Sequence, residues 1–231
     1  MIPKIIAHRG ASKEAPENSL EAFRKALEIG VDSIELDCLL TKDRVPVVTH
    51  YNDLSILKLG KGSLLEKTWG EIRDLGIPNL TQVLELIQPT KAGVVFDIKA
   101  QPGAMSENAM IVAGLATEIL SPSRILLSSF YVRHILTLNR HFPSLSKAFI
   151  LYYSSFKLVP PEIFDKLLGV RILHPFLKWT TPALVQRWKQ KGFTIHTWVA
   201  NTEAEIVACR QMGVDGIFTD DPRLAKEVLE Y

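Results

Sequence analysis

The run Ser33-Ile34-Glu35-Leu36-Asp37-Cys38-Leu39 carries two carboxylates on alternate residues. With a strand's two-residue side-chain period, Glu35 and Asp37 share one face, while Ile34, Leu36 and Cys38 share the other. Two adjacent carboxylates facing inward need a cation. A third acid, Asp97, interrupts the apolar run Val94-Val95-Phe96-Asp97-Ile98-Lys99, and Lys4-Ile5-Ile6-Ala7 delivers His8-Arg9-Gly10 at its end. This combination reads as a metal-dependent hydrolytic site. Ligands that are all carboxylates select a hard ion, so Mg²⁺ or Ca²⁺ is expected over Zn²⁺.

Such side chains converge only if the elements carrying them share one end of a sheet. β-Branched runs at 4–8, 33–39, 93–99, 125–130, 147–153, 170–174, 194–199 and 216–219 alternate with amphipathic stretches at about 19–29, 80–87, 107–120, 132–142, 161–168, 182–191, 203–212 and 222–230. Repeated βα units in this number predict an α/β fold, the (β/α)8 TIM barrel, with its site at the C-terminal ends of the strands. Thr202 with Glu205 reads as a capping box and Asn18 with Glu21 resembles one. Thr181-Pro182 and Asp221-Pro222 each pair an N-cap with proline at the first helical position. The segment after the second strand breaks the rhythm. It holds a further short strand at 45–49, a Gly-containing stretch at 60–62 and a short helix announced by Thr68 and Glu71. The expectation is one barrel domain over 1–231, with an insertion at about 51–79 lying over the barrel mouth.

The chain has 231 residues, 47% of them hydrophobic, enough for one large core. A net charge of +2 with interspersed Lys and Glu gives no basic stripe for nucleic acid. Any phosphate bound is bound locally. No window holds the ~18 uninterrupted apolar residues of a membrane span. A candidate catalytic histidine already at position 8 leaves no room for a cleavable signal peptide. A cytoplasmic protein is the expectation, and the oligomeric state stays open. Cys38 and Cys209 form no disulfide framework, and Cys38, alternating away from the acids, reads as a buried apolar thiol.

Several motifs, in order over nearly the whole chain, resemble the glycerophosphodiester phosphodiesterases. They are His8-Arg9-Gly10, Pro16-Glu17-Asn18-Ser19, Glu35-Leu36-Asp37, Pro46-Val47-Val48-Thr49-His50, Ile77-Pro78-Asn79-Leu80, Asp97-Ile98-Lys99, Ser129-Phe130, Thr197-Trp198-Val199-Ala200-Asn201, and the run from Gly213 to Pro222. The resemblance implies a TIM barrel that hydrolyses deacylated phospholipids to glycerol 3-phosphate and an alcohol with a divalent cation. It assigns acid/base work to His8 and His50, cation binding to Glu35 and Asp37, and phosphate contacts to Arg9 and Lys99, and it puts Asp97 at the position of the third acidic metal ligand, to hold the ion directly or through a water. It also implies an apolar wall at Trp198 and a substrate contact at Glu17. Phosphodiester cleavage needs the same set of groups: a base for the attacking hydroxyl, an acid for the leaving alkoxide, and charge against the non-bridging oxygens.

Duller readings stand beside these. His174 and His196 read as structural residues at strand ends, with some lining of the pocket, and Trp198 fits barrel packing equally well. Trp69, Trp179 and Trp188 are most simply packing. Asn18 serves as well for a helix cap as for a site residue. Two differences from the family set the chain apart: Tyr51 follows His50 where the family has aspartate, and Asp97 stands where glutamate is common. They touch substrate preference or metal affinity more than reaction type. Beside the glycerophosphodiesterase reading stand two alternatives: a related barrel phosphodiesterase acting on lysophospholipids, and a catalytically silent barrel that binds phosphodiesters.

Overall fold

The strand whose alternation separates acids from aliphatics is β2, Ser33–Leu40. Its outward residues Ile34, Leu36 and Cys38 are fully buried against the helices, in one core with Phe23, Leu84, Phe96 and Trp188. The same division repeats in β1 (Lys4–Ala7), β4 (Gly93–Ile98), β5 (Ile125–Ser129), β6 (Ser146–Leu151), β7 (Ile172–Pro175), β8 (Thr194–Thr197) and β9 (Gly216–Thr219). In the computed structural model, which describes residues 2–101 and 105–229, these eight strands pair in parallel, and β1 bonds both β2 and β9. The sheet therefore closes into the expected TIM barrel. A ninth strand, β3 (Pro46–Val48), runs antiparallel along β2 and brings residue 50 back to the barrel mouth.

Helices α1 (Leu20–Ile29), α3 (Leu80–Ile87), α4 (Met105–Ile119), α5 (Val132–His141), α6 (Glu162–Leu168), α7 (Pro182–Gln190), α8 (Glu203–Met212) and α9 (Pro222–Leu229) return the chain between strands. Residue 230 of the expected last helix lies outside the described residues. The short α2 (Trp69–Ile72) carries the Thr68/Glu71 capping box in the segment after β3. Leu54, Leu64 and Ile72 there bury a small second core with Leu39 and Val47. No described helix is long and apolar enough to cross a membrane.

Two local expectations need correction. The N-cap of α1 is Ser19, whose Oγ accepts from Ala22 N; Asn18 forms no capping box with Glu21 and turns inward instead. Several strands also stop one or two residues early at their C-terminal ends: β1 ends at Ala7 rather than residue 8, and β8 at Thr197 rather than residue 199. At the mouth the backbone leaves the ladder to aim side chains, as at Arg9, which adopts φ +58°. The following Gly10 is at φ +83°, against α1, where a Cβ would lie 2.7 Å from the carbonyl carbon of Ala22.

Candidate active site

Parallel registration of β2 and β4 sets Asp37 directly opposite Asp97. Glu35 lies one inward position below Asp37, and the three carboxylates can place an oxygen each within 4.8 Å of one another. All three are buried, Asp37 to 1% exposure. Lys99, just past the end of β4, brings its Nζ 2.7 Å from Asp37 Oδ1 and 2.5 Å from Asp97 Oδ2. Arg9 Nε stands 3.1 Å from Asp37 Oδ2, and Asn18 Nδ2 donates to the same oxygen at 2.8 Å. The backbone N–H of Arg9 donates to Glu35 Oε2.

The two histidines flank this cluster from different elements. His8, at the end of β1, has Nδ1 2.6 Å from Asp220 Oδ1. Asp220 follows β9 and also accepts from Asn201 Nδ2 and Ser12 Oγ. His50, after β3, has Nδ1 3.2 Å from Asp37 Oδ1. His8, Arg9, Glu35, His50, Asp97 and Lys99 line one cavity, whose other wall includes Phe130, Ile150, Phe218 and Trp198. Trp198 is thus both a wall of the cavity and a packing residue, with its Nε1 donating to His174 O and its ring against Phe176 and Tyr152. Asp37 lies beneath the lining.

Glu17 lies elsewhere. Its carboxylate takes a 2.8 Å bond from Arg9 Nη1 and borders the neighbouring groove that runs from His50 toward residues 56–59, so it bears on the cavity only through Arg9. Asn18, left open between helix cap and site residue, is decided for the site, where it bonds Asp37; Asp220 and Asn201 carry no assigned role, yet Asp220 holds His8 and Asn201 in turn holds Asp220. All three stand in the motifs that carry the family resemblance, at Pro16–Ser19, Thr197–Asn201 and Gly213–Pro222, which give Asp220 and Asn201 no role of their own.

Burial pushes the Glu35 carboxyl up to about 7, with the charge of Asp37 adding to it. Burial also raises Asp97, although Lys99 opposes it. Asp37 goes the other way: burial alone would raise it, but Lys99, His50 and Arg9 hold it well below the usual carboxylate range. Burial works against the charged form of His8 too, yet its bond to Asp220 and the charge of Glu35 raise it. These carboxylates therefore resist ionising together, and Asp97 Oδ1 is buried without a hydrogen-bond partner. An all-oxygen donor set with an unsatisfied inward oxygen fits a hard divalent cation.

A profile of the Glycerophosphoryl diester phosphodiesterase family matches residues 8–224. The chain belongs to this family. It is 34% identical to the glycerophosphodiester phosphodiesterase of Caldanaerobacter subterraneus subsp. tengcongensis, over 94% of each chain. It is 28% identical to human lysophospholipase D GDPD1, over 99% of this chain and 86% of the human one. Among solved structures it is similar to a phosphodiesterase from Oleispira antarctica in complex with the product sn-glycerol-3-phosphate, with a TM-score of 0.91 and 22% identity over 100% and 98% of the two chains. As a glycerophosphoryl diester phosphodiesterase family member, the chain is a phosphodiesterase whose buried acids lie where the barrel architecture puts a site, at the C-terminal ends of the strands.

Proposed function

We propose that this phosphodiesterase hydrolyses glycerophosphodiesters to glycerol 3-phosphate and an alcohol, with Glu35, Asp37 and Asp97 holding a divalent cation. The observation that carries the reading is the buried three-carboxylate cluster between two histidines, with Asp97 Oδ1 left unsatisfied. The cation, when bound, supplies positive charge to the non-bridging oxygens of the phosphate. Arg9 and Lys99 add fixed positive charge beside it, and the planar fork of Arg9 suits two parallel bonds to a phosphate. His8 and His50 act as an acid/base pair. One, neutral, takes the proton of the attacking hydroxyl, while the other, protonated, supplies a proton to the leaving alkoxide. Asp220 and Asp37 hold the two rings through Nδ1 and leave each Nε2 for the reaction.

The test is release of glycerol 3-phosphate from a panel of glycerophosphodiesters, each with Mg²⁺, Ca²⁺ and a chelator. Metal-dependent release supports the reading, and absence of turnover with every ion and substrate sinks it. A second reading, lysophospholipid hydrolysis, is favoured by an aromatic run leaving the cavity: Trp198 stacks on Tyr152, which meets Tyr153, and Tyr153 is 67% exposed. Product analysis on glycerophosphocholine beside lysophosphatidylcholine separates the two.

A further inference from the structure

In the strand order, β7 lies four places from β2 either way round the barrel, so His174 faces the carboxylates across the cavity. The cavity wall on this side is mostly apolar, formed by Ile150, Phe218 and Trp198. Its other polar groups are already engaged: Ser128 Oγ donates to Phe96 O, and Trp198 Nε1 donates to His174 O. His174 Nε2 lies 3.3 Å from His196 Nδ1, which leaves Nδ1 of His174 with no hydrogen-bond partner among the described residues. Burial, and then the neighbouring His196, hold His174 well below its ordinary pKa, so the ring is neutral. The pair is accommodated by design of the backbone: a Cβ at Gly216 would sit 2.8 Å from Cδ2 of His196.

We propose that His174 reads a hydroxyl on the glycerol part of the substrate through Nδ1, and that His196 positions it by fixing which nitrogen holds the proton. The inference rests on the functional reading above, which places the phosphate at the carboxylates. When His196 donates from Nδ1, His174 carries its proton on Nδ1 and donates to the ligand; when His174 donates from Nε2, its Nδ1 accepts. A hydroxyl matches either form. A methylene would strand a buried ring nitrogen, and a charged group would meet a neutral imidazole with no counter-charge beside it.

The test compares two competitive inhibitors of glycerophosphocholine hydrolysis: glycerol 3-phosphate and propyl phosphate, which keeps the phosphate and three-carbon chain but lacks both hydroxyls. Wild type should bind glycerol 3-phosphate about tenfold or more tightly than propyl phosphate. His174→Phe should lose most of that preference by weakening glycerol 3-phosphate alone, whereas His174→Gln, whose amide still hydrogen-bonds, should retain part of it. His196→Gln should reduce the preference while leaving propyl phosphate unchanged. A wild type that does not discriminate, or a His174→Phe enzyme that discriminates as well as wild type, overturns the proposal. Failure of wild type to release glycerol 3-phosphate at all is a different result and sinks the functional reading instead.

Discussion

Asp37 takes an ion pair or hydrogen bond from Arg9, Asn18, His50 and Lys99, and so ties together four segments of the chain. The histidines and cations of the proposed mechanism bond to it or to Asp220. Replacing His8 or His50 with alanine should cut turnover by roughly two to four orders of magnitude while leaving the fold intact, as read by circular dichroism and steady-state kinetics. Near-wild-type turnover would remove that histidine from the mechanism. Asp220→Asn keeps His8 in place but removes the charge beside it, and a loss of about ten- to a hundredfold in rate is expected. Asp97 decides the metal question: Asp97→Asn should raise the cation concentration needed for half-maximal turnover, and Asp97→Glu should keep activity. Metal titrations unchanged in Asp97→Asn would exclude Asp97 from the site.

At the scale of elements, the acids stay in place because β2 and β4 are in register, and His8 because α1 presses against the turn after β1. Gly10→Ala would set a Cβ into the Ala22 backbone at φ +83°, costing about 1–3 kcal/mol, measurable as a lower thermal midpoint. Local signals in the sequence located most of these elements well. The capping boxes at Thr202/Glu205 and Thr68/Glu71 and the Thr181 cap at Pro182 form as read. Asn18 did not, because its amide gains more by satisfying buried Asp37 than by capping a helix that Ser19 caps already.

For the whole molecule, a closed barrel buries polar groups that an open sheet would leave wet. His196 is pushed down to about 4 by burial, with Asp215 opposing and Lys4 adding, and His174 is held low as well. A histidine with a depressed folded pKa contributes stability above its unfolded value near 6.5, and that stability is lost as pH falls toward 4. For His196 the loss reaches at most about 3 kcal/mol over that window. Glu35, raised to about 7, contributes with the opposite sign between about 4.5 and 7, and the shifted His8, Asp97 and His174 add to the raw slope as well. The difference reads His196 directly: in urea titrations, His196→Gln should lose less stability than wild type between pH 6.5 and 4.5. Equal losses would show that His196 charges without penalty.

The sequence alone carries the barrel and the inward placement of Glu35, Asp37 and Asp97, because a two-residue period and repeated βα units are local patterns that a parallel sheet can satisfy in few ways. It also placed His8, Arg9 and Lys99 at the mouth, since each stands within two residues of a strand's C-terminal end. The closed barrel was needed to show that Asp220 holds His8 across 212 residues of chain and is itself held by Asn201, that Glu17 pairs with Arg9, and that His174 meets His196 inside the barrel. Those contacts arise from strand closure and the stagger between strands, which no local period in the chain encodes.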